Sequence, residues 1–254
     1  MGTGAPVIGR LRAVLVGLAR PYTRADSRSA IHKHPVHGPV AAGPLGLAGD
    51  EQGDPRVHGE PDKAVHCYPW SHYAPWRREL TGPVAGALLQ APGAFGENFS
   101  VEAGLDEHDV CIADRWAIGE ALFEVSQGRQ PCWKLNDRFG VAGMARRVQH
   151  SGRTGWYLRV LEPGQVRAGD TVRLVARQHA DWPLARLLRV IADRDRDPRT
   201  LGAVLALPLP PSWHKLFRAR LDSGQIECWQ RRMEGDAAST DQAASSSSAG
   251  PKNS

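Results

Sequence analysis

Cysteine is scarce in this sequence, with four residues in a chain of 254 and no C-x-x-C pair among them. The four, Cys67, Cys111, Cys132 and Cys228, are widely spaced. That spacing argues against a disulfide framework, a structural zinc site and an iron–sulfur cluster of the usual kind. Isolated thiols are normally reduced in a cytoplasm, and we expect a cytoplasmic protein.

Long apolar runs and nucleic-acid motifs are also missing. The run at residues 11–18 has only the length of a short signal-peptide core, and no small-residue cleavage site follows it, so we interpret it as a β-strand. No other stretch is long enough to cross a bilayer, and neither C2H2 spacing nor an RNP-like aromatic box is present. We therefore expect no membrane association and no specific nucleic-acid partner. The net charge of +5 fits an anionic ligand or cofactor and also fits non-specific affinity for nucleic acid, and composition alone does not distinguish the two.

Residues 1–178 have the pattern of a β-rich domain. Strands are marked by β-branched, aromatic or alternating apolar residues at 11–18, 117–125, 155–161 and 171–175. One amphipathic helix is predicted around residues 141–148, and Gly152 supplies its stop. Short strands with glycine- and proline-rich links favour a barrel over alternating βαβ units, so the predicted fold class is α+β, mainly β.

A small three-helix appendage is predicted for residues 179–225. The first helix is indicated by an apolar face made of Leu184, Leu187, Leu188 and Ile191. The second is indicated by Asp197 as N-cap followed by Pro198 at the first helical position. The third is indicated by Ser212 as N-cap and Gly224 as C-terminal stop. Residues 235–254 are rich in serine, alanine and aspartate, and we predict a disordered tail there.

Three stretches, residues 46–66, 93–99 and 126–136, concentrate glycine, histidine and polar residues. Each has the character of a loop at a strand end, where functional sites are commonly built. Cys132 is the sharpest candidate, because Arg129 and Lys134 flank it and nearby cations favour the thiolate, a nucleophile and soft-metal ligand. The alternative is a buried structural cysteine.

Other residues in or near these stretches have weaker signals. His58 and His66 suit proton or ligand handling, but also suit hydrogen-bonded loop positions. A zinc site made of three neighbouring histidines matches no standard spacing (His32, His34, His37). Residues 93–96 suit a loop that cradles phosphate through its backbone N–H groups, or one that only turns the chain. Glu97 and Asn98 suit either a polar ligand or a turn cap.

Six segments together resemble the MOSC family, and within it the YiiM-like branch. They are residues 29–33 (SAIHK), 49–52 (GDEQ), 58–66 (HGEPDKAVH), 93–98 (GAFGEN), 127–136 (QGRQPCWKLN) and 151–156 (SGRTGW). The resemblance extends over about residues 8–225. It implies a β-barrel-like domain related to the C-terminal part of molybdenum-cofactor sulfurases, followed by a three-helix domain. It also implies that Cys132 ligates molybdenum in the molybdenum cofactor (molybdopterin), and that the protein reduces N-hydroxylated bases such as 6-hydroxylaminopurine, a detoxification.

The resemblance and the residue chemistry together define the expected site. The candidate catalytic residues are Cys132, His58, His66 and Glu97. The candidate cofactor-binding residues are Lys33, Asp50, Lys63, Asn98, Gln127, Arg129, Lys134 and Asn136. Because flavin and iron–sulfur motifs are missing, electrons should come from a separate reductase of flavoprotein or ferredoxin type. Pyridoxal phosphate, which family annotation often carries, is not expected, since no lysine stands in a recognisable Schiff-base setting.

Two alternatives from other classes remain. One is a non-catalytic anion- or sulfur-binding module, and the other is a cysteine-dependent transferase with Cys132 as its nucleophile. The chain also departs from the family pattern at Glu60, where relatives have glycine, and at Gly128, where they have proline. We expect Glu60 to add negative charge near an anion site and Gly128 to loosen the loop that positions Cys132.

Overall fold

The computed structural model describes residues 4–53, 60–102 and 104–235, which form a β-barrel followed by a group of helices. The strands are β1 (Val7–Val16), β2 (Arg20–Pro21), β3 (Arg28–Ser29), β4 (His34–Pro35), β5 (Val40–Gly43), β6 (Gly46–Leu47), β7 (Val65–Pro69), β8 (Phe99–Glu102), β9 (Arg115–Ile118), β10 (Ala121–Gly128), β11 (Trp156–Glu162), β12 (Gly164–Val166) and β13 (Thr171–Ala176). The α-helices are α1 (Tyr73–Glu79), α2 (Pro83–Leu88), α3 (Lys134–Phe139), α4 (Met144–Ser151), α5 (Leu184–Ala192), α6 (Pro198–Leu205), α7 (Pro211–Ser223) and α8 (Gln230–Glu234).

Seven strands close the barrel in the order β1, β8, β7, β11, β10, β9 and β13, and β13 pairs with β1 to complete it. The pairings around the barrel are antiparallel except for β7 with β8, which is parallel. The predicted fold class, α+β with a barrel, is confirmed. Because the barrel closes on itself, its strands present few open edges for pairing with another chain.

Alternating apolar side chains fill the barrel. On β1, Leu11 is almost fully buried between the exposed Arg10 and Arg12, and Val14 is fully buried with the buried Ala13 and Leu15 beside it. Trp116 on β9 meets Trp156 on β11 edge to face, with ring centroids 5.9 Å apart. Such aromatic pairs add about 0.5–1.5 kcal/mol beyond the burial of their area. The tryptophan pair thus links β9 to β11 across the intervening strand β10.

The segment at residues 117–125 is a hairpin rather than the single strand that its pattern predicts. β9 ends at Ile118 and β10 begins at Ala121, and Gly119 between them has a φ of +58°. A Cβ at Gly119 would collide with the carbonyl oxygen of Gln165. A two-residue turn interrupts an apolar pattern too briefly for periodicity to reveal it.

The helix ends confirm two local signals and correct a third. Gly152 ends α4 with a left-handed φ of +70°. Asp197 caps α6 by accepting a hydrogen bond from the Thr200 amide at 2.8 Å. Ser212 does not cap α7, because that helix already begins at Pro211, whose fixed φ suits a first turn. Helices α1, α2, α3 and α8 have no counterpart among the expected elements.

Gly128 lies in strand β10 and is buried, where a loosened loop was expected. It pairs with Trp156, and a Cβ at this position would come within 2.9 Å of Cγ of Leu188 on α5. The missing side chain makes room for α5 to pack against the barrel, which corrects the expectation that Gly128 loosens the Cys132 loop.

The helices within the described ranges include none that is long and apolar enough to span a membrane. The tail predicted at residues 235–254 lies outside the described residues except for Gly235.

Candidate active site

The loops at one set of strand ends enclose a cleft with about 660 Å³ of empty space. Eight of the expected site residues line it: Cys132, His66, Lys33, Asp50, Lys63, Asn98, Arg129 and Lys134. Residues that are separated by up to a hundred positions in the sequence therefore share one cavity.

Cys132 lies in the turn between β10 and α3, and it is half-buried. The amide of Leu135 donates to the Cys132 carbonyl at 3.0 Å. Of the other cysteines, Cys67 and Cys111 are buried and Cys228 is exposed, and none of the three lines the cleft. Cys132 is thus the thiol that the cleft presents to a ligand.

Two buried side chains of the cleft have polar atoms with no hydrogen-bond partner among the described residues. They are Nη1 of Arg129 and Nε2 of His66. Arg129 follows β10, and its backbone amide donates to the Gly155 carbonyl at 2.9 Å. A buried polar atom without a partner costs about 1–3 kcal/mol, so such atoms point to a ligand or water that satisfies them.

His66 is a neutral imidazole at neutral pH. Burial holds its pKa well below the usual 6.5, and the positive charge of Arg129 lowers it further. A neutral ring offers one N–H donor and one acceptor nitrogen. His66 is therefore equipped to orient a ligand by hydrogen bonding, and it does not store an additional proton at pH 7.

Lys33 is neutralised inside the wall of the cleft. Its Nζ pairs with Oδ1 of Asp50, and both side chains are 8% exposed. Burial lowers the pKa of Lys33, and the charge of Asp50 opposes that shift. Asp50 also accepts hydrogen bonds from the Gly17 amide at 2.7 Å and from the side chain of Asn98 at 2.8 Å. The pair brings no net charge to the cleft, and the cofactor-binding role of Lys33 stays a prediction.

Two lysines stand at the rim of the cleft. Nζ of Lys134 donates to the Arg28 carbonyl at 2.6 Å, and Nζ of Lys63 lies 3.6 Å from a carboxylate oxygen of Glu60. Opposite charges at this separation offset each other. The unusual Glu60 therefore reduces the positive potential at the Lys63 side of the rim.

Glu97 does not line the cleft, and its carboxylate instead holds the loop at residues 93–96 by hydrogen bonds. It is fully buried, and it accepts hydrogen bonds from the amides of Gly93 at 2.7 Å and Phe95 at 3.1 Å and from the Tyr73 hydroxyl. The Tyr73 oxygen in turn accepts from the Ala94 amide at 3.1 Å. These amides already have acceptors, so the loop does not cradle a phosphate through them. This corrects that expectation, and the geometry favours a positioning role for Glu97.

Two further expected residues, Gln127 and Asn136, do not line the cleft. Gln127 is buried on β10. The side chain of Asn136 bonds to the Ala145 amide and to the Met233 carbonyl, at 2.8 Å each. His58 lies outside the described residues. No three histidine, cysteine or carboxylate side chains in the described ranges group as a metal site, so a zinc site at His32, His34 and His37 has no support.

Sequence reasoning missed two side chains near Cys132. Tyr157 on β11 lines the cleft, and burial raises the pKa of its hydroxyl. Arg232 on α8 donates to the Pro131 carbonyl at 2.6 Å, and burial lowers its pKa to about 10. The alternation of β11 was available as a signal for Tyr157, but nothing local to residues 228–235 indicates that they return to the barrel.

Comparison with known proteins agrees with this architecture. A family model described as "MOSC domain" matches residues 54–173, and one described as "YiiM-like, 3-alpha helix domain" matches residues 182–224. Protein YiiM of Escherichia coli (strain K12) is 40% identical over 210 residues, which cover 82% of this chain and 91% of YiiM. This chain belongs to the MOSC family. The resemblance of its six sequence segments is thereby confirmed.

A solved structure and a second relative extend the comparison of this MOSC chain. The crystal structure of YiiM from Escherichia coli superimposes with a TM-score of 0.73 at 32% identity, covering 88% of this chain and 98% of that one. A protein of Gibberella moniliformis (strain M3125 / FGSC 7600) named "Reductase" is 37% identical over 196 residues. Those residues are 77% of this MOSC chain but 34% of the fungal protein, so the chain spans about a third of that relative.

Proposed function

We propose that this protein binds the molybdenum cofactor in the Cys132 cleft and reduces N-hydroxylated compounds, with base analogues of the 6-hydroxylaminopurine type as its substrates. The observation that carries the proposal is the half-buried Cys132 thiol in the same cleft as Arg129, whose Nη1 has no partner among the described residues. Family membership and the fungal relative named "Reductase" support the reaction class.

The donor set of the cleft fits this cofactor. A molybdopterin carries a dithiolene that holds the metal and, at a distance, a phosphate. A thiolate is the ligand that suits a soft metal already bound by sulfur, and Cys132 is in place to supply it. A buried guanidinium recognises phosphate through charge-assisted hydrogen bonds, a role open to Nη1 of Arg129, with Lys134 at the rim.

The cofactor would supply two-electron redox chemistry that these side chains lack. Reduction of R–NHOH to R–NH₂ consumes two electrons and two protons and releases water. The electrons would come from a separate reductase. Tyr157 lines the cleft and, like any phenol with a pKa of about 10 or above, keeps its proton at neutral pH, so its hydroxyl would donate a proton to the departing oxygen as water leaves. Neutral His66 would orient the N-hydroxyl group by hydrogen bonding.

The molybdenum content of three proteins from a cofactor-producing host tests the proposal. Wild-type protein and a Cys228→Ser control should carry near-stoichiometric metal and reduce 6-hydroxylaminopurine with a chemical reductant. Cys132→Ser should lose the metal or the activity. Wild-type protein without molybdenum would refute the proposal. Rapid alkylation of Cys132 together with activity in the absence of metal would favour the cysteine-dependent transferase.

A further inference from the structure

Helix α8 returns from the helical domain and packs against the turn that carries Cys132. We define residues 229–235 as the C-terminal strap. The carbonyl of Arg232 accepts the Trp133 amide at 2.8 Å, and Nη1 of Arg232 donates to the Pro131 carbonyl at 2.6 Å. A single strap residue therefore bonds to the backbone on both sides of Cys132.

The strap is also attached to the two helices beside the turn. Nη2 of Arg232 donates to the side chain of Gln149 on α4 at 2.8 Å. The side chain of Asn136 on α3 donates to the Met233 carbonyl at 2.8 Å, and Met233 itself is 1% exposed. The strap is thus held both by hydrogen bonds to the Cys132 turn and by the buried Met233 side chain, and local opening of the strap would have to break both.

Both ends of the strap are held. Before it, Glu227 pairs with the fully buried Arg220 of α7, with 2.6 Å between Oε1 and Nη2. At its end, Gly235 has a φ of +78° and passes against Arg24 and Trp133 so closely that a Cβ would collide with the Arg24 guanidinium. That guanidinium lies 4.0 Å above the Trp133 ring. The helical domain is thereby linked mechanically to the residue next to Cys132.

We propose that the C-terminal strap holds Cys132 at its place in the cleft and that Arg232 is a positioning residue for this thiol. The inference deepens the proposed function, since it concerns the same cysteine. The helical domain then contributes to the site, because it places the strap against the Cys132 turn. Arg232 acts through the Pro131 and Trp133 backbone and is not a catalytic residue.

Metal-free protein provides the first test. In a Cys228→Ser background, Arg232→Met removes the guanidinium bonds to Pro131 and Gln149, Arg232→Lys can restore one, and Gln230→Met, at an exposed position of the same helix, is the control. We expect amide hydrogen exchange in residues 131–136 to rise at least about tenfold in Arg232→Met, with the global unfolding temperature little changed. Arg232→Lys should fall in between, and Gln230→Met should match wild type. The iodoacetamide alkylation rate of Cys132, followed by peptide mass spectrometry, should change in the same order.

A second variant keeps the test decisive if Arg232→Met does not fold. Gly235→Ala displaces the far end of the strap and should produce the same local increase in exchange at residues 131–136. If exchange and alkylation in Arg232→Met and Gly235→Ala equal those of Gln230→Met, the positioning role is refuted. Molybdenum content is measured last, because loss of metal in every protein would count against the proposed function while leaving the exchange result valid.

Discussion

Lys33 and Asp50 form an ion pair that is almost completely buried beside the Cys132 cleft, each side chain 8% exposed. Removing one partner of a buried pair leaves an uncompensated charge, at a cost of about 3–5 kcal/mol. We therefore expect Asp50→Asn to lower the free energy of unfolding by that amount, and Lys33→Met combined with Asp50→Asn to recover much of it.

Urea unfolding of the single and double variants measures this coupling. The exposed pair Arg218 and Asp222, with side chains 51% and 61% exposed, supplies the control. Asp222→Asn should change stability by less than about 1 kcal/mol. A similarly small effect of Asp50→Asn would mean that Lys33 does not depend on this partner for its charge.

His66 should make the fold sensitive to mild acid. Its pKa in the folded state is lowered well below 6.5, so the unfolded chain binds the proton more tightly. Between the lowered value and 6.5, the unfolded state holds more protons, and stability falls as the pH falls by up to about 1.4 kcal/mol per pH unit. Above that window the effect is absent. Urea unfolding of His66→Gln should lack this slope.

The exposed His37 provides the comparison for His66. Replacing His37 by glutamine should leave the acid slope as in wild type, because an exposed ring loses little hydration on folding. An unchanged slope in His66→Gln would show that the acid sensitivity has another origin.

Glu97→Gln separates a positioning role from a catalytic one. An amide in place of the carboxylate turns a donor toward the amides of Gly93 or Phe95, so we expect a loss of about 2–4 kcal/mol in unfolding free energy. The kcat of the folded fraction should change little. Glu102→Gln, on the partly exposed pair with Arg12, should cost less than about 1 kcal/mol. A full loss of kcat at unchanged stability would instead make Glu97 catalytic.

Tyr157→Phe tests the proposed proton donor. Loss of a general acid typically lowers the rate by about 10²–10⁴-fold. We expect kcat for 6-hydroxylaminopurine to fall in that range, while molybdenum content stays near the wild-type level, because the Cys132 thiol is unchanged and Arg129 loses only its hydrogen bond with the Tyr157 hydroxyl. Tyr22→Phe serves as the control, because Tyr22 is close enough to Cys132 for the charge of that residue to affect its pKa, but it does not line the cleft. A kcat of Tyr157→Phe close to that of Tyr22→Phe would exclude the hydroxyl as donor.

The sequence by itself determined those features that depend on a few neighbouring residues. The stop at Gly152 and the cap at Asp197 follow from backbone chemistry within one helical turn, and both are confirmed. Arg129, Cys132 and Lys134 share the cleft because they lie within six consecutive positions at a strand end. The barrel class follows from many short apolar strands, which must bury their inner faces against one another.

Tertiary structure alone decided where the polar groups of distant segments point. Glu97 and Asn98 are adjacent, yet Glu97 accepts hydrogen bonds from the loop at residues 93–96, whereas Asn98 lines the cleft and donates to Asp50 from another loop. Lys33 is neutralised by a residue from another loop, and Arg232 reaches Pro131 across a hundred positions. Such pairings depend on burial and on closure of the chain in three dimensions, which sequence periodicity does not record.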